Sequence, residues 1–366
     1  MPSAVRQLVQ AGLKYTETSI GASLGGMAGR TALVTGSTGY LGSRLVPALV
    51  AAGWAVRASG RRDRPDHLPP EADYRPAELA GDDDLAPLLE GVTHVFHLAG
   101  ASSSRSDEEE MQRANVEGTR HLVEAALAAG GVERFVHMST TAIYGEEEQL
   151  PVPVQEDAEA HPSRAYGKAK WGAEDVVWGA SDELPVVVLR PVSVFGPGAV
   201  KLVASAVLDA AIERFAGLDR LEVYQEPIEQ RLLHVDDLVD ASLHLADHEA
   251  SVGRAFNVVS GVYPTSLEVA QILADEFGME LAPVDEPECG LSYDERSKTR
   301  DQMLGRGMTE DIYFTEKRFR FMRKSNPNNR LSIDALIGTG FRLSRTDTRE
   351  GIAESIAWYR DHRWIV

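Results

Sequence analysis

An apolar run that ends in three regularly spaced glycines constrains the fold of this 366-residue chain more than any other feature. Thr31–Thr35 predicts a β-strand, and Gly36, Gly39 and Gly42 follow it at the start of a predicted helix. Glycine permits a tight turn and a close backbone approach, and the first turn of a helix offers free N–H groups to an anion. This order predicts a dinucleotide pyrophosphate site, with a tight turn that binds nothing as the alternative.

Predicted strands alternate with predicted helices from Arg30 to Arg190, which indicates an α/β fold with a Rossmann-type, doubly wound parallel sheet. The predicted strands are Thr31–Thr35, Ala55–Ser59, Tyr74–Ala77, His94–Leu98, Arg134–Ser139 and Val186–Arg190. The main helices predicted between them are Tyr40–Ala52, Asn115–Ala129 and Ala165–Ala180. Ligands of such sheets bind at the carboxyl ends of the strands, where Gly36, Gly100, Thr140 and Pro191 fall.

We expect three parts along the chain: an N-terminal extension (1–29), a dinucleotide-binding domain (30–190) and a smaller, mainly substrate-binding lobe (191–366). Segments near 231–260 are expected to return to the dinucleotide-binding domain, with Arg254–Val259 as a strand of its sheet. Helical spacing of apolar residues predicts a short helix over Val5–Leu13 and further helices over Val203–Phe215 and Leu267–Phe277. Residues 285–330 are charged and have no assignable pattern.

The net charge of −19 argues against nucleic acid or an anionic membrane as a partner. No apolar run approaches the ~20 residues of a membrane span, and residues 1–29 lack a secretory apolar region. The one cysteine, Cys289, excludes an internal disulfide and a cysteine-based metal site, and the acidic runs are interpreted as solvated surface. The chain is therefore expected to be cytoplasmic, to hold no metal and to bind a small molecule.

Tyr166 and Lys170 are four residues apart on a predicted helix, so they share one face. A free phenol, with a pKa of about 10, is a poor base at neutral pH, and an ammonium group one turn away favours the phenolate. A nucleotide site and an acid–base pair in one chain predict a redox enzyme. An incidental surface pair is the alternative for this spacing alone.

The order of the motifs resembles that of the extended short-chain dehydrogenase/reductases, the group that includes the NAD-dependent epimerase/dehydratase enzymes. The similarity runs from about Arg30 to the C-terminus and is carried by Thr35–Gly42, His97–Gly100, Asn115–Thr119, Ser139–Gly145, Tyr166–Lys170, Leu189–Pro191, Phe195–Gly198 and His234–Asp237. The resemblance implies that Tyr166 and Lys170 are catalytic, that Thr140 orients the substrate oxygen and that Asn115 supports Lys170 through water. A helix N-cap is the alternative role for Asn115.

The resemblance also implies a nicotinamide dinucleotide cofactor. Its expected contacts, including two arginines after the second strand, are Gly36, Thr38, Gly39, Tyr40, Leu41, Gly42, Arg61, Arg62, Leu98, Ala99, Gly100, Ser139, Tyr166, Lys170, Pro191, Val192 and Val194. Gly60 stands where NAD-specific sites place an acid, and Arg61 and Arg62 follow it. A guanidinium group suits a 2′-phosphate, so NADP is favoured over NAD, although Asp63 could supply the acid from a longer turn.

The substrate is left open between two reaction classes. Nucleotide-sugar 4,6-dehydratases, which the chain resembles, carry Asp-Glu where this chain has Thr141-Ala142, so dehydration is not expected. The lead interpretation is an oxidoreductase acting on a carbonyl or secondary alcohol. The alternative is a nucleotide-sugar epimerase with recycled NAD. Arg231 matches the diphosphate-binding arginine of such epimerases, although an arginine paired with nearby acids is equally compatible.

Other candidate roles depend on the resemblance alone. Thr141 and Tyr144 are candidate substrate contacts, whereas His97 and the His234–Asp237 segment are interpreted as structural. A homodimer is implied. A non-catalytic, dinucleotide-sensing protein is the least favoured function, because such proteins typically lose the tyrosine that stands here at position 166.

Overall fold

The computed structural model describes residues 29–102, 106–146, 149–287, 291–319, 322 and 330–366. The helix predicted over Val5–Leu13 and the cysteine at position 289 lie outside the described residues. The chain divides into two compact units. Unit 1 comprises the chain up to Val192 with Leu238–Val258 and Leu331–Arg342, and unit 2 comprises Ser193–Asp237, Val259–Arg330 and Leu343–Val366.

The described residues form short strands and helices in alternation. The strands are β1 (Thr31–Thr35), β2 (Ala55–Gly60), β3 (Asp73–Pro76), β4 (His94–His97), β5 (Arg134–Met138), β6 (Val186–Pro191), β7 (Ser193–Phe195), β8 (Arg220–Tyr224), β9 (Leu232–His234), β10 (Arg254–Val258) and β11 (Glu280–Val284). The α-helices are α1 (Tyr40–Ala51), α2 (Ala86–Leu89), α3 (Glu108–Gln112), α4 (Gly118–Ala129), α5 (Ala165–Gly179), α6 (Val203–Phe215), α7 (Val235–Asp247), α8 (Ser266–Phe277), α9 (Tyr293–Gly305), α10 (Asp334–Gly338) and α11 (Thr348–Asp361). A π-helical turn (Arg113–Glu117) joins α3 to α4, and a 3₁₀ turn (Thr141–Tyr144) follows β5.

Unit 1 contains a parallel sheet, whose described strands lie in the order β10-β6-β5-β4-β1-β2-β3. The order proceeds outward from β1 in both directions, which confirms the predicted doubly wound α/β fold. β10 pairs with β6 through Phe256 and Leu189, as expected for a strand that returns to the main sheet. Among the described residues of both units, no helix is long and apolar enough to cross a bilayer.

One face of this sheet carries a continuous apolar row. Leu33, Val95, Phe135 and Val186 are neighbours in register across β1, β4, β5 and β6, and none is exposed. Helices α2, α4 and α5 cover the row with buried aliphatic side chains such as Leu122. Each such side chain contributes about 1.5–3 kcal/mol on burial, so these contacts hold α4 and α5 on the sheet.

The same face becomes polar two residues further along the strands. Thr35, His97 and His137 are neighbours in register at the carboxyl ends of β1, β4 and β5, and all three are buried. Because side chains alternate between the faces of a strand, this polar row lies on the face that α4 and α5 cover.

Unit 2 contains two short parallel pairs among its described strands, β8 with β11 and β7 with β9. Helix α6 carries two buried carboxylates one turn apart, Asp209 and Glu213. Asp209 pairs with Arg296 and Glu213 pairs with Arg318. These two buried ion pairs attach the arginine-rich segment after β11 to α6.

The interpretation of residues 285–330 as patternless was incomplete, because α9 lies within them. A capping box opens this helix: the Ser292 hydroxyl accepts from the Glu295 N–H, and the Glu295 side chain accepts from the Ser292 N–H. The S-x-x-E spacing could have marked this helix start. The remainder of α9 could not be predicted, because the helix has few apolar residues and therefore no hydrophobic periodicity.

Replacement of Gly42 by alanine is expected to destabilise the fold. A Cβ at Gly42 would lie 2.4 Å from the Gly36 carbonyl oxygen and 2.5 Å from the Ser37 Cα, which are both backbone atoms. We expect Gly42→Ala to lower the free energy of unfolding by about 1–3 kcal/mol. Gly179→Ala is the matched control, since nothing lies within 4 Å of its Cβ position in α5, and it should raise stability slightly. Equal urea midpoints for the two variants would contradict the packing argument.

Candidate functional site

The glycine turn packs closely against the neighbouring strand but leaves the start of α1 open. Gly36 has a φ of +68°, and a Cβ there would lie 2.7 Å from the backbone nitrogen of Ala99. Gly39 is exposed, and a Cβ there would meet only the Gly36 carbonyl oxygen, at 3.2 Å. No side chain caps α1, and its first turn holds no acid. This open N-terminus fits a dinucleotide pyrophosphate. The half-buried residues around it are Thr38, Tyr40 and Leu41.

The end of β2 carries arginine rather than an acid. β2 ends at Gly60, and Arg61 is the first residue beyond it, so Asp63 does not occupy the strand end. The Arg61 side chain is 55% exposed, and its guanidinium lies 3.7 Å from the Glu78 carboxylate and 3.6 Å from the Glu110 carboxylate. Exposed pairs of this kind contribute little stability, so they leave the guanidinium able to exchange partners.

Tyr166 lies at the carboxyl edge of the sheet, in the first turn of α5. Its ring is half-buried against Ala101 and Met111. The side chain of Thr140, the residue that follows β5 and its flanking serine, lies close enough to the Tyr166 hydroxyl to affect its pKa. Burial raises the pKa of Tyr166, and the Thr140 side chain partly offsets this rise. Lys170 follows one turn along α5 and is also buried.

Burial and the charge of Lys170 together determine the protonation states beneath α5. Burial lowers the pKa of Lys170 to about 8, and the Glu174 carboxylate opposes this change. Burial, with a further contribution from Lys170, lowers the pKa of His97 to about 3, and the same two causes lower the pKa of His137. At neutral pH the two imidazoles are therefore uncharged, while most of Lys170 is an ammonium ion.

Asn115 lies inside the π-helical turn, which overturns the N-cap alternative. Its Nδ2 donates to the carbonyl oxygens of Ala101 and Met111, at 3.0 and 2.8 Å. Its Oδ1 is buried and has no hydrogen-bond partner among the described residues. A Cβ at Gly100 would lie 2.3 Å from that oxygen, so glycine makes room for the amide. An unpaired buried acceptor of this kind is suited to a bound water.

His97 connects the sheet to the π-helical turn. Its Nδ1 lies 2.8 Å from the Thr35 hydroxyl, and its Nε2 lies 2.8 Å from the Thr119 hydroxyl. The Thr119 hydroxyl in turn donates to the Asn115 carbonyl oxygen. These contacts agree with the structural interpretation of His97.

Two candidate substrate contacts lie in the protein interior. Tyr144 is 1% exposed, its hydroxyl donates to Asn257 Oδ1 at 2.8 Å, and it accepts from the Arg190 guanidinium at 2.9 Å. Thr141 is also buried and donates to the Pro191 carbonyl oxygen at 3.3 Å. Both positions contradict a direct role in substrate contact, because the polar atoms are engaged within the protein.

The other predicted site residues are divided between unit 1 and unit 2. Leu98, Ala99 and Val192 are half-buried at the carboxyl ends of β4 and β6 in unit 1. Val194 lies in β7 and Arg231 immediately before β9, both half-buried in unit 2. Also in unit 2, Asp237 accepts hydrogen bonds from the backbone N–H groups of Ser344 and Arg345, as expected for a structural residue.

Sequence reasoning missed a buried polar network next to Lys170. Its charged centre is the pair of Glu174 and Arg190, whose closest atoms are 2.7 Å apart. A carboxylate four residues after Lys170, on a helix face that is otherwise small and apolar, was the available signal.

Comparison with known proteins identifies the family. Residues 32–259 match the model of the NAD dependent epimerase/dehydratase family. The GDP-6-deoxy-D-mannose reductase of Pseudomonas aeruginosa is 31% identical over 264 residues, covering 69% of this chain and 82% of that protein. Sterol demethylase protein B of Methylococcus capsulatus is 30% identical over 361 residues, covering 92% of this chain and 100% of that protein.

Solved structures agree with this result. MoeE5 in complex with UDP-glucose and NAD has a TM-score of 0.67 and 26% identity, covering 91% of this chain and 99% of that chain. The family match covers more than half of the chain, and the two relatives are matched over most of their length. The chain therefore belongs to the NAD dependent epimerase/dehydratase family and is an NAD(P)-dependent enzyme of the extended short-chain dehydrogenase/reductase type.

Proposed function

We propose that this enzyme reduces a carbonyl to a secondary alcohol, or catalyses the reverse reaction, with NADP(H) in preference to NAD(H). Tyr166, Lys170, Thr140 and Asn115 are the proposed catalytic group. The observation that carries the proposal is the proximity of the Thr140 side chain to the Tyr166 hydroxyl at the end of β5, with buried Lys170 one turn along the helix that carries Tyr166. This arrangement can hold a substrate oxygen and exchange a proton with it.

Each residue has a distinct task in this mechanism. A nicotinamide dinucleotide bound at the glycine turn would supply or accept the hydride at the substrate carbon. The Thr140 hydroxyl orients the substrate oxygen, and Tyr166 gives its phenolic proton to that oxygen in reduction and removes it in oxidation. The Lys170 ammonium stabilises the phenolate electrostatically, and Asn115 Oδ1 accepts a hydrogen bond from a water that serves Lys170.

Most of the proposed cofactor contacts belong to the carboxyl edge of the unit 1 sheet. Gly36, Gly39 and Gly42 would allow close approach of the pyrophosphate, with Leu98, Ala99, Gly100, Ser139, Pro191 and Val192 as further contacts. Val194, which lies in β7 of unit 2, is proposed from the family resemblance alone. The proposed preference for NADP(H) is supported by Arg61 directly after β2, with exposed Arg62 beside it. A guanidinium group binds a 2′-phosphate through paired charge-assisted hydrogen bonds.

A nucleotide-sugar epimerase with recycled NAD is the second candidate. It is supported by the relation to MoeE5, whose structure holds UDP-glucose and NAD, and by Arg231 as a candidate diphosphate contact. The chain also matches sterol demethylase protein B over the whole of that protein, and this match favours a range of substrates broader than nucleotide sugars. Stoichiometric NAD retained through purification would favour the epimerase, whereas exchangeable cofactor with an NADPH preference favours the reductase.

The oligomeric state and the cellular location complete the proposal. A homodimer is proposed because family resemblance implies it, and light scattering on the purified chain tests it by mass. A cytoplasmic location is proposed from the composition, with a net charge of −19 and one cysteine.

Replacement of Tyr166 by phenylalanine removes the proposed proton donor and little else. We expect Tyr166→Phe to lower turnover by about 10²–10⁴-fold, because general acid–base catalysis contributes that much. Dinucleotide affinity, measured by fluorescence titration, should change only a few-fold, which separates lost chemistry from lost folding. Turnover close to that of the wild type would refute the assigned role.

Replacement of Arg61 by alanine tests the cofactor preference. We expect Arg61→Ala to weaken NADPH binding by about tenfold or more and to leave NADH binding nearly unchanged, because only NADPH carries the 2′-phosphate. Arg64→Ala is the matched control, since the Arg64 guanidinium donates to the carbonyl oxygens of Ala72 and Pro69 within its own loop. An unchanged ratio of the two dissociation constants in Arg61→Ala would contradict the NADP(H) proposal.

A further inference from the structure

Glu174 is a fully buried carboxylate one helical turn after Lys170. It accepts a hydrogen bond from the Ser139 hydroxyl and from the Arg190 guanidinium, with Arg190 Nη2 at 2.7 Å and Nε at 3.1 Å. The indole N–H of Trp178 lies 3.4 Å from the same carboxylate. One side chain therefore joins α5, the end of β5 and β6.

We infer that Glu174 is a positioning residue that keeps Lys170 in its charged form and fixes the end of β5 from which Thr140 extends. This inference rests on the proposed function, because it concerns the charge beside Tyr166. Ser139 immediately precedes Thr140, so the bond from Ser139 to Glu174 restrains the backbone that carries the Thr140 hydroxyl. The carboxylate acts on both partners of Tyr166 without touching substrate.

The charges around Lys170 show why the carboxylate matters. From α5, Lys170 faces the uncharged phenol of Tyr166 and the Glu174 carboxylate. From β4 and β5 it faces His97 and His137, which are both neutral. Among the described residues, Glu174 is the charged group that favours the ammonium form against the cost of burial. Arg190 pairs with the same carboxylate from β6, at 2.7 Å.

Loss of the negative charge should therefore act on Lys170 first. Glu174→Gln keeps the size of the side chain and can still accept from Ser139, but it leaves two buried cations without an anion. Residues four apart on a helix are neighbours, and a neighbouring opposite charge typically changes a pKa by about one pH unit or more, so we expect the pKa of Lys170 to fall by about that amount.

The titration can be observed without turnover. The chain has seven lysines, so NMR of protein labelled at the lysine ε-carbon gives few signals, and Lys170→Met identifies the signal of Lys170. A lower pKa for Lys170 in Glu174→Gln than in the wild type supports the inference. An unchanged pKa overturns it.

A double variant, which guards against misfolding, and a matched control complete the test. Glu174→Gln combined with Arg190→Met removes both members of the ion pair, so Arg190 is not left as an unpaired cation, and the pKa of Lys170 should still fall. Glu156→Gln is the matched control. Glu156 belongs to the same network, where it accepts from the Asn257 N–H, but it bears on the pKa of Tyr144 rather than that of Lys170. A Lys170 pKa lowered equally by Glu156→Gln would overturn the inference.

The pH profile of alcohol oxidation distinguishes this inference from the proposed function. With less positive charge beside Tyr166, the rise of activity with pH should move to higher pH in Glu174→Gln, and Glu174→Asp should restore part of the change. Full activity in Tyr166→Phe would refute the proposed function while leaving the NMR result for Lys170 intact. A profile that stays in place while Tyr166→Phe is inactive would refute the role of Glu174 alone.

Discussion

The parallel alignment of β1, β4, β5 and β6 is the constraint on which the rest of unit 1 depends. Parallel strands end at one edge of a sheet, so Gly36, Gly100, Thr140 and Pro191 come to the same edge although they are far apart in sequence. The apolar row through Leu33 and Phe135 holds that alignment in register. Without this register, the glycine turn after β1 and helix α5, which carries Tyr166, would not meet at one edge of the sheet.

The second constraint is electrostatic. Lys170 is buried, and burial alone would favour its neutral form, whereas the proposed mechanism needs a cation beside the Tyr166 phenol. The groups around Lys170 favour its charged form in three ways. His97 and His137 stay neutral, Asn115 leaves an acceptor for water, and Glu174 supplies the opposing charge. A buried ion pair such as that of Glu174 and Arg190 adds little net stability, so its proposed value lies in holding one geometry and one protonation state of Lys170.

Much of this arrangement could be predicted from sequence because it depends on local patterns. The apolar runs located the ends of the main-sheet strands to within about one residue, a smaller error than is usual for element ends. Side-chain partners could not be predicted, because they come from distant segments: Tyr144 bonds to Asn257, more than a hundred residues away, which explains why its assignment to substrate contact was wrong. The π-helical turn around Asn115 was missed for a different reason, since its sequence is that of an ordinary helix.

Native mass spectrometry of the purified chain, with NADP⁺ or NAD⁺ added, tests the central claim most directly. A Cβ at Gly39 would meet only the Gly36 carbonyl oxygen, at 3.2 Å, so we expect Gly39→Val to fold at a small cost in stability and to block the approach of the pyrophosphate. The account predicts one dinucleotide bound per wild-type chain and none bound to Gly39→Val. Absence of any dinucleotide on the wild-type chain, or equal binding by the variant, would contradict a dinucleotide site at the glycine turn.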